Sequence, residues 1–316
     1  MAPLEPVAAC LACGSSDRDA HHETAAMMDA SAQRFRFSRC RACGLVYLDP
    51  RVPAGDLGRY YTDAYLPYRG PEAWGRWRGL VASGLRATDR RRVARVRALG
   101  AIGPASRVLD VGCGHPTFLE ALQGESGCEA VGVDFSDEGW RGDPARWSGL
   151  ELHAGELADV ALTGAFDLVT MWHYLEHDYA PADTLRRVRG LVGDSAHLVI
   201  EVPDHDSWSR RRYGPHWAGY HTPRHTALWD PSTMRVLLEG AGWRVESIEP
   251  LGTLDPWTLV WMSRQERRGI DWSASMERYF AGFVAGRVIS WPVLSRLEKA
   301  RGRGGDGFLT AVARPA

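Results

Sequence analysis

From residue 108 onward, apolar residues fall into short runs separated by polar stretches of helical periodicity. Residues 108–111, 130–134, 151–153, 166–172 and 197–202 read as strands, several nearly unbroken in Val, Leu, Ile and Met, as expected of strands covered on both faces. Helical spacing appears between them at 117–122 and 181–191. This alternation predicts an α/β fold, a Rossmann-like doubly wound and mostly parallel sheet. A helix at 231–241 and strands at 244–250 and 307–313 bring the sheet to seven strands. Upstream, Val93, Val96 and Leu99 give a helix at 89–99 one buried stripe and leave its arginines on a solvated face. Three regions follow: a cysteine-bearing module over 1–50, a helical lid or linker over 51–103 and the sheet domain over 104–316. Within the last lie an insertion at 203–229 and an apolar helical segment at 257–293.

Composition narrows the possible partners. A formal charge of −1 and an isoelectric point near 6.8 give no global attraction to polyanions, so nucleic acid is not the expected partner. All but one of the 38 basic residues are arginine, a bias that fits GC-rich coding as well as any function. The first nine residues lack a basic start and an apolar run, and no stretch is long and apolar enough to span a bilayer. A soluble, cytoplasmic protein is expected, with 257–293 packed on the sheet or forming a homodimer surface. Four of the six cysteines form two Cys-x-x-Cys pairs, Cys10 with Cys13 and Cys40 with Cys43. Four thiolates close a tetrahedron with no open position, which predicts a structural zinc ribbon.

The candidate chemistry begins at Val108-Leu-Asp-Val-Gly-Cys-Gly114 and continues at Val131-Gly-Val-Asp134. Gly112 and Gly114 allow a sharp turn and close approach to a ligand, and Asp134, at the tip of the next strand, can accept both hydroxyls of a ribose. With Phe166-Asp-Leu-Val169, these segments resemble the successive motifs of class I S-adenosylmethionine-dependent methyltransferases, over roughly residues 90–250. The charge pattern agrees: Asp110 suits the cationic amino-acid end of that cofactor and repels a pyrophosphate. The resemblance implies that Asp110, Gly112 and Gly114 line the methionine part, Asp134 binds the ribose, Phe135 packs on the adenine, and Glu156 and Leu157 meet its amino edge. Pro116 stands where the family has a third glycine. Proline fixes φ and removes an N–H, which predicts a displaced loop or a different hold on the cofactor's carboxylate.

The segment after the fourth strand, Trp172-His-Tyr-Leu-Glu-His177, resembles the family's His-x-Leu-Glu-His and should face the reacting methyl group. His173 is the candidate general base, with Tyr174 and His177 as further catalytic candidates. A histidine pair four residues apart can also bind metal, but no third ligand of suitable spacing follows. The Trp- and His-rich insertion resembles the stretch ending in Pro-Arg-His of many bacterial relatives and reads as a lid. Tyr213, Trp217, Tyr220, His221, Arg224 and His225 are its candidate substrate residues, with Arg224 placed to meet a phosphate or carboxylate. No Asn-Pro-Pro-Tyr-like clamp for planar amino groups is present. The expectation is methyl transfer to an oxygen or carbon of a small metabolite: a nucleotide sugar, a lipid-linked intermediate or a specialised metabolite. Two alternatives stand beside it: an RNA methyltransferase gripping a stem with the ribbon and the 90–97 arginines, and a non-methylating protein on the same fold.

Overall fold

The computed structural model describes residues 3–29, 31, 33–62, 65–100, 102–299 and 307–316. Three strands come first, β1 (Arg18–Ala25), β2 (Arg34–Cys40) and β3 (Val46–Leu48), each antiparallel to the next. Short 3-10 turns at Ala54–Tyr60 and Gly70–Trp77 flank a one-turn α1 (Leu66–Arg69) and lead into α2 (Arg78–Arg97). Gly70 and Gly75, at φ of 55° and 53°, break what would otherwise be a continuous helix.

The alternating region follows the apolar rhythm. Its elements are β4 (Arg107–Val111), α3 (Thr117–Ser126), β5 (Glu129–Asp134), β6 (Glu151–Ala154), β7 (Phe166–Trp172), α4 (Pro181–Arg189) and β8 (Val192–Pro203). After it come α5 (Trp208–Tyr213), β9 (Ala227–Leu228), α6 (Pro231–Gly240), β10 (Trp243–Glu249), α7 (Pro256–Arg268), α8 (Phe280–Lys299) and β11 (Phe308–Pro315). Seven strands form one sheet in the order β10-β11-β8-β7-β4-β5-β6, in which only β11 runs antiparallel to its neighbours. β5 and β6 lie on one side of β4 and β7 on the other, so the strand order reverses at β4 and β7. The crevice beyond their carboxyl ends is where such sheets take ligands.

The insertion after β8 contributes more than a loop. Its strand β9 completes the N-terminal sheet, placing Val46 opposite Leu228 and Tyr47 opposite Ala227. Cys10, Cys40, Leu45 and Tyr47 pack in the same buried cluster as Leu109 and Met171 of the large sheet, so the cysteine module shares the main core. A second core joins Phe37, Trp217, Tyr220, Trp257 and Trp261 from the N-terminal sheet, the insertion and α7. The apolar stretch 257–293 forms α7 and the start of α8, separated at Gly269, which closes α7 at a φ of 62°. Val284, Val288 and Ile289 of α8 are exposed, and among the described residues no helix is long and apolar enough to cross a membrane.

Candidate active site and four-cysteine centre

The glycine loop leaves β4 as the sequence predicts. Gly112 and Gly114 have φ of 76° and 49°, and the N–H groups of Gly112 and Cys113 donate to the Val133 carbonyl at 2.8 and 3.2 Å. The Gly114 N–H donates to Asp134 Oδ2 at 2.9 Å, tying the loop to the tip of β5. Pro116 does not displace this turn. It occupies the N-cap of α3, and its carbonyl accepts from the Glu120 N–H at 3.0 Å. N–H groups there have no intrahelical partner, so proline removes no helical bond. Tyr174 explains why Gly112 must be glycine: a Cβ would lie 2.5 Å from the tyrosine's Cδ2.

The other expected cofactor residues divide. Asp134 sits at the strand end with Oδ1 on the Ser136 N–H, and burial raises its pKa against those backbone hydrogen bonds. Phe135 is 62% exposed, and its ring lies 6.0 Å from that of Tyr61, a face open to a planar ligand. Asp110 is not open: it is buried and accepts from Thr170 Oγ1 at 2.6 Å. Burial pushes its pKa to about 7 despite that bond. A cationic ligand end beside it would favour the ionised form. Glu156 is exposed, whereas Leu157 is in the core with its carbonyl taken by Arg187 Nε.

His173 departs from the role expected of it. Its Nδ1 lies 3.3 Å from Glu176 Oε1 and its Nε2 3.0 Å from Glu201 Oε1, and both glutamates are buried. Burial alone would discharge the ring, but hydrogen bonds to the two carboxylates outweigh it and raise the pKa to about 9. With both ring nitrogens donating, His173 is an imidazolium with no lone pair, so it is not the general base. Glu201 is further held by the Thr253 N–H at 2.6 Å and the Thr253 hydroxyl at 2.9 Å. Tyr174 is also no base, because burial drives its phenol pKa far up. Neither Glu201 nor Glu176 was singled out from the sequence. A lone acid within the apolar run Leu198-Val-Ile-Glu-Val202 was the available signal.

His177 keeps a place at the site, and the fold brings two insertion residues to it. Its Nδ1 lies 3.2 Å from the Arg224 carbonyl, and His225 Nδ1 lies 2.8 Å from the Gly219 carbonyl. A carbonyl only accepts, so each Nδ1 carries the proton and Nε2 holds the lone pair. The ring centroids of His177 and His225 are 4.5 Å apart, and His221 lies 4.8 Å from His225. Burial lowers the pKa of all three, keeping them neutral. Tyr61, from the aromatic-rich linker, reaches His177 Nδ1 at 3.4 Å and links this cluster to Phe135.

The remaining lid residues are corrected by burial. Trp217 and Tyr220 lie inside the second core, with Trp217 Nε1 donating to Ser209 Oγ at 3.0 Å, and Tyr213 is half-buried beside Arg212. Arg224 is fully buried and donates to the carbonyls of Met27, Met28 and Tyr60 under the face of Tyr65. Its donors are spent on backbone carbonyls of the β1–β2 connection and of the Ala54–Tyr60 turn, so it holds the scaffold together instead of facing an open pocket. Among the α2 arginines, Arg92 pairs with Asp89 and Arg95 with Glu249 at partly buried positions, Arg91 donates to the Thr253 carbonyl, and Arg97 pairs with Glu125 on the exposed face.

The four cysteines meet as expected. Cys10 Sγ lies 3.5 Å from Cys43 Sγ and Cys13 Sγ 3.6 Å from Cys40 Sγ, and all four sulfurs are within 4.8 Å of one another. The two pairs repeat one geometry: the Gly14 N–H donates to the Cys10 carbonyl and the Gly44 N–H to that of Cys40, each glycine at positive φ. N–H groups of Ala12 and Cys13 point at Cys10 Sγ, and those of Ala42 and Cys43 at Cys40 Sγ, as thiolates require. The set fits a tetrahedral zinc.

Residues 85–248 match the family described as a methyltransferase domain, and the chain belongs to that family. The matched stretch carries the glycine loop, Asp134 and the segment after β7. The ubiquinone biosynthesis O-methyltransferase of Ralstonia nicotianae is 31% identical over 102 residues, which cover 30% of this chain and 42% of that one. Among solved structures, a protein of Galdieria sulphuraria provisionally assigned as a sarcosine dimethylglycine methyltransferase aligns over 74% of this chain and 87% of its own. Its TM-score is 0.50 at 12% identity, and the likeness concerns the fold. A TehB-like S-adenosylmethionine-dependent methyltransferase of Corynebacterium glutamicum aligns over 79% of this chain and all of its own, with a TM-score of 0.45 at 16% identity.

Proposed function

We propose that this protein methylates an ionisable oxygen, or an acidic carbon, of a small metabolite, with the acceptor seated against His177, His221 and His225. The observation that carries this reading is the cluster of neutral imidazoles at the carboxyl end of β7, near the glycine loop. Bound along that loop and Asp134, S-adenosylmethionine supplies a sulfonium methyl for in-line displacement. The chain's part is to align the acceptor and favour its ionisation, and neutral rings that each present a lone pair suit an acceptor that must lose a proton. The imidazolium of His173, fixed between two carboxylates, positions the segment that carries His177. The short match to an O-methylating relative supports oxygen over nitrogen. Zinc in the four-cysteine centre would be structural, joining the N-terminal sheet to the main core.

The reading is tested by incubating the protein with methyl-labelled cofactor and panels of hydroxylated, phosphorylated and sugar-linked metabolites. His177→Ala and His225→Ala should reduce label transfer far more than cofactor affinity; equal transfer by these variants overturns the acceptor assignment. The RNA alternative predicts salt-dependent retention on structured RNA. The engagement of Arg91, Arg92 and Arg95 with Thr253, Asp89 and Glu249 argues against it.

A further inference from the structure

The segment after β7 and the insertion, far apart in sequence, bring Glu176, His177 and His225 together. One ligand atom from each lies within 4.8 Å of the others. We propose that these three residues form a divalent-cation site of the borderline type that takes zinc, cobalt or iron, and that the cation holds the acceptor oxygen during methyl transfer. The second half of this proposal rests on the function given above; the metal site itself does not.

Three observations support it. First, each imidazole has its Nδ1–H committed to a backbone carbonyl, at 3.2 Å for His177 and 2.8 Å for His225. That second contact orients histidine metal ligands and leaves Nε2 to coordinate. Second, Glu176 is 1% exposed and its Oε2 has no hydrogen-bond partner, while its Oε1 is held by His173. An unpaired buried acceptor of this kind costs about 1–3 kcal/mol. His221 Nε2, in the ring next to His225, is buried and unpartnered too. Glu176 Oε2 and the Nε2 atoms of His177 and His225 offer three acceptors, more than the two protons of one water can satisfy, whereas a cation satisfies them together. Third, the surroundings leave room for a cation: two buried carboxyl groups, Glu176 and Glu201, share the single ring of His173. The nearby Arg224 guanidinium is turned onto the carbonyls of Met27, Met28 and Tyr60.

Two imidazoles and one carboxylate are a ligand set that leaves a position open for substrate. Bonds of 2.0–2.1 Å place tetrahedral ligands about 3.3 Å apart, so the three side chains draw inward on binding. At the open position a hydroxyl of the acceptor ionises more readily and releases its proton to solvent. Its oxygen lone pair then forms the C–O bond as the C–S bond breaks and that electron pair returns to sulfur, giving the neutral thioether.

The test uses the full chain with zinc in its four-cysteine centre, titrated with cobalt(II) alone. Wild-type protein should bind one cobalt beyond the thiolate metal, with ligand-field absorption and no thiolate charge-transfer band. Glu176→Gln, which keeps the side-chain shape, and His225→Gln should weaken that uptake by about 100-fold or more while zinc content and cofactor affinity stay unchanged. No second metal in the wild type, or equal uptake by both variants, overturns the site. If that happens while S-adenosylmethionine still binds and label still transfers, the methyltransferase function stands without a metal. Failure of label transfer with cobalt uptake intact sinks the acceptor reading and leaves the cation site.

Discussion

His173 Nε2 lies 3.0 Å from Glu201 Oε1, across the carboxyl ends of the adjacent strands β7 and β8. With Glu176 on its other nitrogen, the ring is an internal cation and part of the framework that aims the catalytic segment. Its φ of 59° places it in a left-handed turn that a non-glycine residue enters only when surrounding contacts hold it there.

This clamp predicts an alkaline weakening of the fold. The folded-state pKa of His173, about 9, lies above its ordinary value of 6.5. Its contribution is therefore complete below pH 6.5 and disappears as the pH rises to about 9. Wild-type melting measured from pH 6 to 9.5 should show a loss on the order of 2–3 kcal/mol. His173→Gln should start lower and respond more weakly over that range; an unchanged slope in the variant refutes the imidazolium assignment.

Cofactor affinity should depend on Asp134 and on the glycine at 112. Asp134→Ala removes both the partner of the Gly114 N–H and the ribose acceptor, and calorimetry should show binding weakened by about tenfold or more. Gly112→Ala adds strain at a φ of 76° and a clash with Tyr174, so it should lose stability and cofactor binding together. Wild-type affinity in Gly112→Ala would mean that Tyr174 readily moves aside.

Arg224 separates a scaffold from a substrate clamp. Arg224→Lys cannot bond three carbonyls at once and should destabilise the protein by about 3 kcal/mol with cofactor affinity retained. Normal melting with a raised KM for an anionic acceptor would restore the clamp.

The four-cysteine centre should melt with the rest of the molecule, since Cys10 and Cys40 lie in the main core. Cys40→Ser, or stripping of the thiolate metal, should lower the single thermal transition by several kcal/mol rather than release a small early unfolding step. Four free thiols and no bound metal in freshly purified wild-type protein would disprove a zinc centre.

Much of this was legible without coordinates, for identifiable reasons. Unbroken apolar runs marked β4, β5, β7 and β8 because both faces of a parallel strand must be covered, and the glycine turn could be read because Gly112 and Gly114 adopt positive φ. The paired Cys-x-x-Cys spacing was sufficient because each loop folds locally. The lid was misread at Trp217, Tyr220 and Arg224, since aromatic and basic residues look the same in sequence whether they line a pocket or fill a core. Local sequence thus determined the sheet, the cofactor loop and the thiolate ligands, all built from neighbours along the chain. Tertiary structure alone decided the charge of His173 and the convergence of Glu176, His177 and His225. Those properties depend on Glu201, Arg224 and Gly219, brought close by strand order and by the insertion that supplies β9, and a protonation state follows from what surrounds a side chain in space.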